Sequence, residues 1–153
     1  MSSHPASNAT WYLDPHGRFR MALPWGWTVS EGEDGETFWL QADPPGPGDV
    51  RFTLLEADAG SEETDARAVV RASATSHPGA TYVESHGHGI ARYSDRGVSA
   101  KGDEYVYYWE VGAAHWVALW SYCVLAQLYA VPEVRREFAL VEYVIGTFAF
   151  NPA

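Results

Sequence analysis

The stretch 102–125 reads GDEYVYYWEVGAAHWVALWSYCVL, and it predicts a β-hairpin at the centre of a sheet. Aromatic and β-branched residues, which favour strands, fill most of 105–111 and 116–125. The small residues at 112–114, Gly-Ala-Ala, separate the two runs and suit a tight turn. We therefore expect two antiparallel strands joined at this turn.

Both faces of this hairpin are apolar. Side chains alternate between the two faces of a strand, so the first strand divides into two sets. One set is Tyr105, Tyr107, Trp109 and Val111, and the other is Val106, Tyr108 and Glu110. Each face needs a covering element, and a slip of one residue at the turn would exchange the two sets.

The rest of the chain predicts further strands and two helices. Alternating or β-branched runs predict strands at 18–23, 25–29, 37–42, 50–57, 81–86, 89–93 and 147–150. Turn-forming residues predict turns or loops at 31–36, 43–49 and 95–103. Helical spacing predicts helices near 62–76 and 132–146. This order indicates an α+β fold, in which an antiparallel β-sheet and two main helices form a layered αβ sandwich.

The chain length of 153 residues suits one domain. Residues 1–10 are mostly small and polar, and we assign them to a flexible N-terminus. Residues 11–153 then form a single α+β domain, for which we expect one antiparallel sheet.

The last predicted helix can cover one face of the hairpin. Pro132 suits the first helical position. Val134, Phe138, Val141 and Ile145 follow at helical spacing and form one apolar stripe. We expect this stripe to pack on the sheet.

The earlier predicted helix offers a thinner cover. Ser61 is a plausible N-cap residue. Ala66, Val69, Val70 and Ala74 share a face at helical spacing, and all four are small. We expect this helix to cover the second face incompletely.

Charge and hydrophobicity exclude several classes of function. The net charge is -10, with a single lysine, Lys101, which argues against binding to nucleic acid or anionic membranes. The N-terminus lacks a signal-peptide pattern, and no apolar run is long enough to span a membrane. We therefore predict a cytoplasmic protein, and we expect its only cysteine, Cys123, to be a small buried residue.

Two histidines form the strongest candidate for a metal site. His86 and His88 would lie on one face of an extended strand, and Glu84 would share that face. The simpler interpretation is a glycine-rich strand end with solvated histidines. We favour it, because two histidines and one carboxylate leave a site poorly fixed, and we predict no tight zinc or nickel site and no cofactor.

Glu110 and His115 form the other candidate pair. They flank the predicted hairpin turn, where they would be cross-strand partners. Such a pair can serve acid–base chemistry. A surface ion pair is the simpler interpretation, and it is the one that we favour.

Two segments resemble the PsbP-like superfamily, which includes PsbP proteins, DcrB-like proteins and Eag chaperones. Residues 18–27, RFRMALPWGW, resemble its opening strand, and 138–150, FALVEYVIGTFAF, resemble its final helix and short strand. Thr147 takes the position of a serine in that ending. The resemblance implies the α+β sandwich. It also implies protein binding without shared catalytic residues, so no functional residue carries over.

These observations favour a non-catalytic protein-binding module, such as a chaperone, an adaptor or an immunity-like factor. Its partner would be another protein or a second copy of the chain. The predicted binding residues are Tyr107, Trp109, Glu110, His115, Trp116 and Trp120. The alternative is an enzyme or small-ligand binder with a site around His86, His88, Glu110 and His115, which requires those four side chains to converge.

Overall fold

The computed structural model describes residues 9–57 and 65–151. The strands are β1 (Thr10–Leu13), β2 (Phe19–Leu23), β3 (Thr28–Glu31), β4 (Thr37–Gln41), β5 (Asp49–Glu56), β6 (Thr81–Ser85), β7 (His88–Ser99), β8 (Gly102–Ala113), β9 (Trp116–Leu125) and β10 (Ala149–Phe150). The helices are α1 (Ala66–Thr75) and α2 (Pro132–Thr147), and a 3-10 turn, Ala126–Leu128, precedes α2. These elements confirm the α+β fold class.

The strands form two antiparallel sheets, so the prediction of one sheet is wrong. The large sheet has seven strands in the order β3-β4-β5-β9-β8-β7-β6, and the small sheet has three in the order β1-β2-β10. The chain turns after β2, where Trp27 N donates to Pro24 O at 3.1 Å, and this turn directs β2 and β3 into different sheets. The small sheet and α2 cover one face of the large sheet, and α1 covers part of the other. We call these the α2 face and the α1 face.

The central hairpin has the predicted strands but a different turn. Ala113 pairs with Trp116, so the turn is formed by Ala114 and His115 rather than by 112–114. Ala114 adopts the left-handed conformation with a φ of 52°. The strands are therefore longer, and their apolar faces reach further, than the sequence predicts.

Gly112 stays within β8 because α1 lies directly on it. A Cβ at this position would lie 2.7 Å from the carbonyl oxygen of Ala66 and 2.7 Å from Val70 Cγ2. The glycine therefore allows close approach of helix and sheet and does not form the turn.

The α2 face holds the main core. Phe52 and Trp120 are fully buried, and their rings stack with centroids 4.4 Å apart. Of the predicted stripe on α2, Val134, Val141 and Ile145 are buried. Phe138 is half-buried, because its ring lies at the edge of the packed face of α2, against the ring of Tyr107.

The α1 face is covered only in part. Ala66 and Val70 are fully buried, whereas Val69 is 42% exposed and does not belong to the packed face. The N-cap of α1 is Asp65, whose side chain accepts a hydrogen bond from Arg67 N. The predicted N-cap, Ser61, lies outside the described residues.

β7 is much longer than the sequence predicts. It continues to Ser99, so the prediction of a turn over 95–103 is wrong for most of that segment. Pairing with β8 holds this polar segment extended along its whole length, although its residues do not favour strands. β6 pairs only with residues 88–92, so in the part of the chain that the structure describes residues 93–99 lie at a free edge of the large sheet.

Candidate functional site

The four predicted aromatic binding residues all lie on the α2 face. Trp109 is 3% exposed and Trp120 is fully buried, so both belong to the core. Trp116 is half-buried and packs against the same core. Tyr107 borders a surface cavity.

Glu110 and His115 are not cross-strand partners, so that prediction is wrong. Glu110 pairs with Leu119 in the ladder, because the turn lies nearer His115 than expected. The Glu110 carboxylate is buried on the α1 face, where it accepts hydrogen bonds from Ser73 Oγ at 2.7 Å and from the Tyr93 hydroxyl. Burial and this carboxylate raise the pKa of Tyr93. Glu110 thus ties α1 to the sheet, and His115 is exposed at the turn.

His86 and His88 do not share one strand, so the predicted arrangement is wrong. His86 lies in the turn between β6 and β7 with a φ of 53°. The two ring nitrogens of His88 contact His86 O at 3.0 Å and Phe150 N at 3.2 Å. These contacts match a neutral ring that donates from Nδ1 and accepts at Nε2. Both nitrogens are therefore occupied by the backbone.

The alternative site has no common location. His88 lies on the α2 face, Glu110 on the α1 face and His115 in a turn. Glu84 is engaged by Arg71 Nη2 at 3.2 Å. Over residues 9–57 and 65–151, no group of three or more His, Cys, Asp or Glu side chains is placed to hold a metal ion.

A groove between α2 and the strands β7 and β8 is the strongest candidate for a binding site. It has a volume of about 250 Å³ and is lined by Arg92, Tyr107, Tyr129, Val134, Arg135 and Phe138. Arg96 on β7 and Tyr105 on β8 extend the same surface, and Arg96 Nη2 donates to the Tyr105 hydroxyl at 2.7 Å. The Tyr105 ring lies 4.8 Å from that of Tyr129. We call these eight residues the arginine–tyrosine groove.

The groove carries positive charge that is only partly neutralised. Arg92 forms an ion pair with Glu142 at 3.1 Å and lies 5.4 Å from the centre of the Phe138 ring. Arg96 and Arg135 are exposed, and neither forms an ion pair with another residue in the described part of the chain. A protein with a net charge of -10 thus has a local cationic surface.

Tyr107 keeps its proton at neutral pH. Burial, and next the hydroxyl of Tyr129, raises the pKa of Tyr107 to about 12. The phenol therefore stays neutral and can donate a hydrogen bond to an anionic group. The positive charge of the groove comes from its arginines, and a neutral Tyr107 leaves it unchanged.

Sequence reasoning found Tyr107 but missed the other groove residues. Arg92 and Arg96 lie on the α2 face because they pair with Trp109 and Tyr105, and this register is visible only once β7 is known to be long. Arg135 comes from α2, and Tyr129 from the loop before it. The available signal was the alternation of Arg92, Ser94 and Arg96, which places both guanidinium groups on one face of a strand.

A buried carboxylate on the α2 face is a second polar feature. Glu137 is 7% exposed, and its Oε1 accepts from Gly48 N at 2.7 Å and from the Tyr122 hydroxyl at 2.9 Å. It lies at the wall of a cavity of about 370 Å³ beside the loop 42–48. Burial raises the pKa of Glu137, and the two hydrogen bonds offset this shift only in part.

We expect Glu137→Gln to remove a pH dependence of stability. Since the folded pKa is raised, the folded protein retains a proton that the unfolded chain releases. This stabilisation is complete below the unfolded pKa of about 4.3 and is lost as the pH rises through the folded value. As the pH rises through this range, the urea midpoint should fall more steeply for the unaltered protein than for the variant. Equal slopes would show that Glu137 does not supply the dependence.

No helix in the described residues has the length and apolar character needed to cross a membrane.

Comparison with solved structures shows a PsbP-like fold. The cyanobacterial PsbP protein of Synechocystis, solved in solution, superposes with a TM-score of 0.63 at 9% identity, covering 99% of this chain and 98% of that one. A crystal structure from Bacteroides thetaiotaomicron superposes with a TM-score of 0.69 at 16% identity and covers 95% of this chain. This chain spans 49% of the Bacteroides protein. No family model and no curated protein sequence matches the chain.

Proposed function

We propose that this protein is a non-catalytic binding module whose arginine–tyrosine groove takes an acidic segment of a partner protein. One observation carries the proposal: two exposed guanidinium groups without ion-pair partners among the described residues flank a row of accessible aromatic rings. Arginine and tyrosine are the residue types that dominate interface hot spots. The similarity to the Synechocystis PsbP structure concerns the fold, and a binding role is what the PsbP-like resemblance leads us to expect.

The charge distribution favours an acidic partner at this position. The molecule as a whole repels anions, because its net charge is -10. Attraction of an acidic segment therefore requires a local cationic surface, and the groove supplies one. Arg92 is partly neutralised by Glu142, which leaves Arg96 and Arg135 as the main contacts.

Cytoplasmic localisation stays a prediction, which cell fractionation would test.

We expect Arg135→Gln to weaken binding of an acidic peptide. The probe is a fluorescein-labelled peptide in which glutamate alternates with valine, followed by fluorescence anisotropy at low ionic strength. Loss of one exposed charge contact should raise the Kd about two- to fivefold. The difference should shrink as salt is added, because exposed charges are screened.

Arg136→Gln is the matched control. Arg136 is the next residue on α2, is also exposed and pairs with Glu133 at 3.4 Å. Both variants change the net charge by the same amount, so a non-specific charge effect would weaken both equally. Equal Kd values for the two variants, or equal binding of a peptide with lysine in place of glutamate, would exclude the groove as an acidic-segment site.

A further inference from the structure

We propose that the partner segment adds as a β-strand to the free edge of β7 at residues 93–99, and that its acidic residues alternate with apolar ones. This inference rests on the proposed function, and it specifies how the acidic segment is held. Strand addition supplies backbone hydrogen bonds, and the adjacent groove supplies the side-chain contacts.

The edge of β7 directs every second backbone N–H group outward. Within the described residues, β6 ends its pairing at Arg92 and no other strand continues on that side. Arg96 N donates to its neighbour's side chain, Asp95 Oδ1 at 2.8 Å, so this N–H points away from β8. In an antiparallel ladder such groups recur at every second residue. Ser94 and Val98 therefore also direct their N–H groups outward, and these two are the donors that a partner strand would use.

The two faces of this edge differ in charge. Arg92, Ser94 and Arg96 have their side chains on the α2 face, beside the groove. Asp95 lies on the opposite face. An added strand alternates its side chains in the same way, so acidic residues at every second position would all lie beside the arginines. Apolar residues would then lie on the side of Asp95, where a further carboxylate would be repelled.

Charge disfavours a second copy of the chain as the occupant. Two β7 edges paired about a twofold axis near Arg96 would place this guanidinium opposite its own copy, and like charges directly opposite destabilise a pair of strands. Two molecules that each carry -10 also repel at long range. An acidic segment from another protein would instead place a carboxylate beside Arg96, which removes the first of these penalties.

Val98→Pro tests the backbone contact. The Val98 side chain is 82% exposed, and its N–H points outward, so proline at this edge position removes a donor to the partner while leaving the β8 ladder intact. Val98→Thr is the matched control, because it changes the side chain and keeps the N–H. With the glutamate–valine peptide, we expect the Kd to rise about two- to tenfold for Val98→Pro and to stay unchanged for Val98→Thr.

Changes in the peptide test the same point without altering the protein. N-methylation at every second peptide residue blocks strand pairing but keeps each charge, and it should weaken binding as Val98→Pro does. A peptide of the same composition with all glutamates in one block keeps the charge but loses the alternation, and it should also bind more weakly.

The outcomes separate this inference from the proposed function. If Arg135→Gln weakens binding but Val98→Pro, N-methylation and the block peptide do not, the groove binds acidic segments without strand addition. If Arg135→Gln has no effect, the proposed function itself fails. A dimer seen by light scattering that Val98→Pro dissociates would show that a second copy occupies the edge, and it would overturn the inference.

Discussion

Replacing Phe52 with alanine is expected to lower the free energy of unfolding by about 3–5 kcal/mol. Phe52 is fully buried, and its ring contacts those of Phe38, Trp120 and Phe148. These neighbours belong to β4, to β9 and to the residue that follows α2, so the site cannot collapse by moving one element. A domain is stable by only about 5–15 kcal/mol, so the loss should be plain in a urea titration.

Leu55→Ala provides the control on the same strand. Leu55 lies on the α1 face and is 45% exposed, so its removal leaves no enclosed cavity. We expect a loss below about 1 kcal/mol. A similar shift of the urea midpoint for both variants would contradict the assignment of the core to the α2 face.

The central hairpin and α2 were predictable because their patterns are strong and local. Aromatic and β-branched runs identify β8 and β9, and the stripe from Val134 to Ile145 identifies α2. The separate small sheet was not predictable, because β2 pairs with β10 across most of the chain length. The turn was displaced because Gly112 is needed beneath α1, a contact that no local pattern reveals.

The candidate site depended on contacts that are distant in sequence. Tyr107 was selected for its place in an aromatic run, yet Trp109 in the same run is buried because α2 and the small sheet cover that part of the face. The arginines come from β7 and α2, and they meet only after β7 extends through a segment whose polar residues favour a turn. Propensity was overridden there by pairing with β8.

Glu137 is a residue within α2 whose burial could not be predicted from the sequence. It precedes Phe138 and lies one turn after Val134, on the flank of the apolar stripe. Its burial follows from the loop 42–48, which reaches α2 and supplies Gly48 N as a donor. A charged residue beside a stripe is ordinarily solvated, so only the tertiary contact reveals this one as a structural link.

Gly48→Ala should destabilise the protein strongly although it adds only one methyl group. A Cβ on Gly48 would lie 2.2 Å from Tyr122 Cε1 and 2.7 Å from the Tyr122 hydroxyl. Tyr122 is fully buried and bonded to Glu137, so its ring cannot move aside. The loop must shift instead, which breaks the bond from Gly48 N to Glu137. Overpacking and an unsatisfied buried group each cost about 1–3 kcal/mol, so we expect a loss of about 2–6 kcal/mol.

Gly146→Ala is the matched control for that substitution. Gly146 lies in α2, and a Cβ there would meet nothing within 4 Å. Alanine is favoured over glycine within a helix by roughly 0.5–1 kcal/mol, so the two variants should move the urea midpoint in opposite directions. Glu137→Gln should also have a smaller effect in the Gly48→Ala background, because the shared hydrogen bond is already broken. Additive effects of the two changes would show that Gly48 and Glu137 act independently, and the loop would then be held by other contacts.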